Sequence, residues 1–266
     1  MKKVLGNLER QLFSYTQLRG LRTLKTGDLT KILQINSIQE RKLFDRLNGD
    51  KMITQVRRGL YLIPQKLPLG GKWSPTDILA INTLVEDQKG KYQICGPNAF
   101  NRYGFDEQIP TRMYVYNNRL SEERTIGSIA ITLIKVNDKR LGDIEEVKTR
   151  EGEIGLYSSR RRSLLDAVYD WSRFNTLPRA YQWIEKEITA KRVLPKDFVE
   201  VTLRYADVGT MRRIGFVLDK LGIQKTLLAK FRKVLKPSSS FIPLIPSLPK
   251  RGSIDRQWGV LINGDW

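Results

Sequence analysis

The chain has 266 residues, 40% of them hydrophobic, which is enough to bury a core in more than one domain. With no histidine and a single cysteine, Cys95, it excludes Ser-His-Asp and Cys-His catalysis, histidine base chemistry, the usual zinc sites and an internal disulfide, and it fits a reducing cytoplasm. The formal charge of +19 is unevenly placed: net +10 over residues 1–72, zero over 73–190 and +9 over 191–266.

Two basic ends around a neutral middle suit two surfaces for a polyanion. Nucleic acid fits better than a membrane, because the sequence lacks both a long basic amphipathic helix and a run of eighteen apolar residues. Lys2 and Lys3 precede an apolar stretch broken by Asn7, Glu9 and Arg10, so no signal peptide is expected.

In chain order, Leu8, Leu12, Tyr15 and Leu18 fall near helical spacing and predict a first helix over 7–18. A second is expected over 24–33, with Leu29, Ile32 and Leu33 facing inward. Ser37 with Glu40 three residues on reads as a capping box opening a third helix, which runs to about Asn48 and ends at Gly49. That helix is expected to bury Ile38, Phe44 and Leu47 and to leave Gln39, Arg41, Lys42 and Arg46 to solvent. Residues 52–56 and 60–63 read as strands around the turn Arg57-Arg58-Gly59, closed by Pro64. Two short helices, the second basic, followed by a hairpin predict a winged helix-turn-helix that reads double-stranded DNA. Its candidate contacts are Ser37, Gln39, Arg41, Lys42, Arg46, Arg57, Arg58 and Tyr61, with Arg57 and Arg58 placed for phosphates or a minor groove.

Residues 66–71 are a linker by composition. Beyond it, helices are expected over 75–85 and 97–103, and strands over 92–96, 113–116, 129–134 and 153–157, those at 113–116 and 129–134 being paired. Helices then follow over 159–174, 178–190, 195–205, 209–221 and 224–235. The tail carries Pro237, Pro243, Pro246 and Pro249, and 258–262 is expected as an edge strand. The fold class is therefore α+β: an N-terminal winged helix-turn-helix over 1–66, then a mixed α/β C-terminal domain over 75–266 that ends in a helical region.

A second basic surface is expected from Arg160, Arg161, Arg162, Arg212, Arg213, Lys225, Lys230, Arg232 and Lys233. The Arg160–162 triplet opens a helix and so opposes its dipole, which requires compensation by phosphate or by a carboxylate such as Glu153. Glu146-Val147-Lys148, with Asp138 or Asp143 upstream, is the pattern by which restriction-endonuclease-like enzymes hold magnesium and activate water. It reads equally as a solvated mixed-charge surface with Glu145 and Arg150. A metal-dependent or degenerate nuclease is the alternative; the main reading expects no enzyme, catalytic residue, metal or cofactor.

Several segments resemble the AbiEi family, antitoxins of type IV toxin–antitoxin (abortive infection) systems. They are 58–64, 92–105 (Tyr-Gln-Ile-Cys-Gly-Pro-Asn-Ala-Phe-Asn-Arg-Tyr-Gly-Phe), Gln108-Ile109-Pro110, Leu164-Leu165-Asp166-Ala167 and 212–218. A serine is common in that family where Cys95 stands here. The resemblance implies a transcriptional autorepressor that binds inverted repeats in its own promoter. It also implies a counterpart nucleotidyltransferase-like toxin, opposed without a stable complex. The protein is expected to be cytoplasmic, and a monomer or a weak, DNA-promoted dimer.

Overall fold

The computed structural model describes residues 5–68, 71–236 and 240–265; Lys2 and Lys3, Leu69 and Gly70 of the expected linker, and Pro237 of the tail lie outside them. Helix α1 (Asn7–Leu18) has Glu9 at its third position, whose carboxylate accepts from the Gly6 amide at 2.9 Å. Where a second helix was expected over 24–33, the chain instead forms strand β1 (Thr23–Lys25) and a shorter helix α2 (Asp28–Ile32). Gly27, at φ +100°, turns the chain between them in a conformation that glycine adopts without steric cost. In α2 only Leu29 is buried; Ile32 is 39% exposed.

Helix α3 (Ser37–Gly49) is capped by Asn36 and not by Ser37: the Asn36 side chain accepts from the Gln39 amide, and the Gln39 side chain accepts from the Asn36 amide, both at 2.9 Å. The reciprocal box is therefore one residue earlier than expected. Glu40, which the sequence assigned to that box, is fully buried and caps α2 instead, accepting from the amides of Gly27 (2.7 Å) and Leu29 (2.8 Å). These amides are among the N–H groups that a helix start leaves without an intrahelical partner. The buried stripe of α3 is Glu40, Leu43, Phe44 and Leu47; Ile38, expected inside, is 58% exposed.

Strands β2 (Thr54–Arg57) and β3 (Leu60–Leu62) form an antiparallel sheet with β1 in the order β1-β3-β2. All three residues of β3 are buried because both of its faces are covered. Tyr61 stacks on Phe44 with ring centroids 4.3 Å apart, while Leu60 and Leu62 join Val56, Ile78, Ile81 and Leu84 in a second cluster. Alternation along the strand thus feeds two cores from three residues.

After β3, α4 (Asp77–Asp87) starts where the Thr76 hydroxyl accepts from the Leu79 amide. There follow β4 (Tyr92–Ile94), α5 (Gly96–Arg102), β5 (Met113–Asn117), β6 (Glu122–Ile126), β7 (Ile129–Lys135), β8 (Ile144–Lys148) and β9 (Ile154–Ser158). They build a mixed six-stranded sheet ordered β6-β7-β5-β4-β9-β8, in which β5 pairs parallel with β7, and β4 parallel with β9. Neither edge strand, β6 nor β8, was expected: β6 alternates between half-buried and exposed positions up to buried Ile126, and β8 is exposed except at half-buried Val147, so both carry little apolar signal.

The expected helix over 159–174 divides into α6 (Arg160–Tyr169) and α7 (Trp171–Phe174). Helices α8 (Arg179–Thr189), α9 (Pro195–Tyr205), α10 (Val208–Lys220) and α11 (Lys225–Val234) pack with α6 into one apolar cluster that also holds Trp258. Gly215 on α10 lies under the Trp258 ring, where any Cβ would collide with it. Strands β10 (Ile242–Pro243), β11 (Ser253–Asp255) and β12 (Val260–Ile262) form a separate sheet with β12 at its centre, so that last segment is not an edge. The chain is an α+β protein. Among the described residues, no helix is long and apolar enough to cross a membrane.

Candidate nucleic-acid interface

Opposite its buried stripe, α3 presents Ile38, Arg41, Lys42 and Asp45, all exposed. Arg41 and Lys42 have no ion-pair partner among the described residues, whereas Arg46 bonds Glu9 at 2.8 Å through Nε while its side chain stays 53% exposed. That bond ties α3 to α1, since Glu9 is itself buried. The Asn48 side chain accepts from the Gln55 amide at 2.9 Å and fixes the far end of α3 to β2. The helix is thus clamped at its start through Glu40, at its middle through Phe44 and Tyr61, and at its end through Asn48. Such clamping holds exposed side chains in a fixed register.

The two arginines of the hairpin turn differ. Arg57 forms a forked pair with Asp87 of α4 (2.6 and 2.8 Å), so it is a structural tether and not a free tip cation. The Arg57 hydrogen bond, aided by the arginine's charge, outweighs the upward push of burial and holds the Asp87 carboxyl below the usual aspartate range. Arg58 is exposed and unpaired among the described residues. Tyr61, expected as a contact, is 5% exposed and belongs to the core, and Gln39 is engaged in the cap while remaining exposed. Ser37 is exposed at the first position of α3.

The second basic set does not form one surface. Arg162 is fully buried; its Nε bonds Asp166 at 2.9 Å, and its other nitrogens donate to the carbonyls of Gly142 and Arg140. Arg161 pairs with Asp143 at 2.5 Å, and Arg160 with Glu187 at 2.8 Å. The compensation that an N-terminal cation triplet requires therefore comes from three carboxylates, none of them Glu153, which pairs with Arg22. Burial pushes Asp143 and Glu187 up, but the hydrogen bonds from their arginines outweigh it and hold both carboxyls below their ordinary values.

Arg212 (7% exposed) donates to the Ser240 carbonyl, and Arg213 to that of Pro243, joining α10 to the C-terminal sheet. Lys230 pairs loosely with Glu200 at 3.6 Å, and Arg232 lies over the Trp258 ring at 5.7 Å. Of the nine, only Lys225 and Lys233 are exposed without a partner among the described residues.

The sequence reading missed the polar cluster behind α6. Asp166 accepts from Arg162, Arg140 and Ser158; the Ser158 hydroxyl accepts from the Gln93 side chain; and the Gln93 side-chain oxygen Oε1 accepts from the Gly142 amide. Arg140 lies over the Tyr169 ring at 3.7 Å, and Tyr116 donates to Asp170, whose carboxyl burial pushes up. Every member has a partner, so this is a fastening and not a reactive site. The available signal was Asp166 four residues after Arg162, the spacing at which helical side chains meet.

The nuclease pattern is not assembled either. Glu146 and Lys148 are exposed on β8, Asp143 is taken by Arg161 and Ser159, and Asp138 accepts from Asn118. Among the described residues, no group of three or more acidic, cysteine or histidine side chains could hold a metal ion. A cavity of about 720 Å³ lies between α4 and the sheet, but its polar walls bond one another: Tyr92 donates to Asn82 at 2.5 Å, and Asn82 to the Ile154 carbonyl.

No protein-family model and no curated protein matches the chain. The structure is similar to the crystal structure of the RV2827C protein from Mycobacterium tuberculosis, with a TM-score of 0.60 at 12% identity over 97% of this chain and 92% of that one. At that identity the two chains share a fold, and the likeness stops there.

Proposed function

We propose that residues 5–66 form a winged helix-turn-helix and that the protein is a cytoplasmic DNA-binding regulator. The observation that supports this best is the α3 face: among the described residues Arg41 and Lys42 are exposed and unpaired on a helix clamped by Glu40, Phe44 and Asn48, as is Arg58 at the adjacent hairpin turn. In this reading α2 and α3 are the helix pair, α3 enters the major groove, and β2-β3 is the wing. Arg41 and Lys42 contact bases or phosphates, while Arg58 contacts the backbone or minor groove. Asp45 on the same face works against non-specific phosphate contact and favours a defined docking pose.

By its resemblance to the AbiEi family, the protein is further proposed to repress its own promoter through inverted repeats. It would also act as the antitoxin to a nucleotidyltransferase-like toxin without a stable complex. The test is a mobility-shift titration of that promoter across salt. With roughly six to ten phosphates neutralised, affinity is expected to fall on the order of 10³–10⁵ between about 50 and 200 mM salt. Absence of any specific retardation at low salt would end the proposal.

A further inference from the structure

The two edges of the six-stranded sheet are treated differently. On β6, the Arg124 side chain donates to the Val56 carbonyl at 3.0 Å and so brings the hairpin against that edge. On β8, Ile144, Glu145, Glu146 and Lys148 are exposed, and no strand lies outside them among the described residues. We propose that β8 is a self-pairing edge: two copies of this chain join antiparallel through β8 about a two-fold axis at Val147, extending the sheet across the dimer.

The register follows from the hydrogen bonding. The Asp143 carbonyl accepts from the Ser159 amide at 2.9 Å, and the Thr149 amide donates to the Glu153 carbonyl at 2.8 Å. Antiparallel ladders alternate, so Asp143, Glu145, Val147 and Thr149 turn their main chain toward β9, and Ile144, Glu146 and Lys148 turn theirs outward. A two-fold perpendicular to the sheet keeps each face on its own side. Outward residues must therefore meet outward residues.

Centring the axis on Val147 sets Glu146 opposite Lys148 of the second copy, twice by symmetry, with Val147 against Val147 on the other face. Centring it on Glu145, Glu146 or Lys148 sets like charges opposite, which disfavours those registers. One symmetric register is therefore selected by charge, and it closes as an isologous dimer with both edges consumed. About four main-chain hydrogen bonds cross the Glu146–Lys148 pairs. A strand pair this short buries less than a standard interface, so the dimer is weak and concentration-dependent. The inference needs no DNA and is independent of the function proposed above.

Sedimentation equilibrium of the full chain without DNA tests it. The unaltered protein should dimerise reversibly, and Glu146→Lys or Lys148→Glu should each weaken the dimer about tenfold or more. Mixing the two variants should restore association, because each then meets the opposite charge. Glu146→Pro, which removes an outward N–H at an edge that tolerates proline, should also be monomeric. All variants should keep the parent melting temperature. A protein that stays monomeric to its solubility limit, a dimer that persists in either single variant, or a mixture that fails to associate would each overturn the proposal.

Discussion

Asp166→Ala is the sharpest test of the polar cluster behind α6. Asp166 and Arg162 are both fully buried, and the same carboxylate also accepts from Arg140 at 3.1 Å and from Ser158 at 3.1 Å. Removing it takes away the carboxylate bonded to two neighbouring guanidinium groups, and Arg162, the one out of reach of water, has no other ion pair among the described residues. Breaking a buried pair by deleting one partner costs about 3–5 kcal/mol. Against a typical total of ~5–15 kcal/mol that is a large fraction. At roughly 2–4 °C per kcal/mol for a chain of this size, the melting temperature should drop by about 6–20 °C. Asp197→Ala is the control: Asp197 faces Arg161 at 3.7 Å from a 38%-exposed side chain, and its loss should cost under about 1 kcal/mol. Calorimetry on both variants makes the comparison. An Asp166→Ala melting temperature within about 2 °C of the parent would refute the reasoning.

Glu40→Ala should cost about 2–4 kcal/mol by circular-dichroism denaturation, since two amides at the start of α2 lose a charged acceptor, and it should weaken DNA binding in proportion to the loosening of α2 against α3. Arg41→Ala with Lys42→Ala should leave stability within about 0.5 kcal/mol and reduce the salt slope of DNA binding by about one per lost phosphate contact, read from mobility shifts. Asp87, Asp143 and Glu187 all have lowered carboxyl pKa values, so their contribution is present above the unfolded-state range near pH 4 and is lost as pH falls through their depressed values. Asp87→Asn should therefore lower stability at neutral pH and flatten the acid limb of a pH–stability curve, while Asp170, raised by burial, opposes that slope. Cys95 is fully buried with its thiol pushed well above the ordinary range, so alkylation should proceed only at the rate of unfolding.

Much of the fold was legible where one face of an element is apolar. The periodicity of 195–205 and 209–221 gives α9 and α10 within a residue at each end, because Phe198, Val199 and Thr202, and later Ile214, Val217 and Leu218, are buried at helical spacing. Strand β1 was missed because a three-residue strand has no period to detect, and its neighbours Leu29 and Leu33 completed a helical pattern across Gly27. Edge strands β6 and β8 were missed for a related reason: charged and polar residues fill much of both, as they do in edge strands generally. Glu40 was misassigned because Ser37 offered a local partner. Its position three, four and seven residues before Leu43, Phe44 and Leu47 places it on the buried stripe, which identifies it as an interior acid.

The candidate site was harder to read because sequence charge does not distinguish free cations from committed ones. The stretches of net +10 and +9 look alike as composition, yet Arg212 and Arg213 are spent on backbone carbonyls while Arg41 and Lys42 face solvent. The distinction has a chemical basis. The cations committed to interior or forked contacts (Arg57, Arg140, Arg161, Arg162, Arg212 and Arg213) are all arginines, whose planar fork can satisfy several acceptors at once and is more weakly hydrated than an ammonium. Lys225 and Lys233, with compact, strongly hydrated charges, stay at the surface. In a chain this rich in arginine, a basic cluster points to a polyanion only after the carboxylates and carbonyls within its reach have been assigned. Near α3, Glu9 is taken by Arg46 and Glu40 by the start of α2, and among the described residues Arg41 and Lys42 form no ion pair even with Asp45 on their own face.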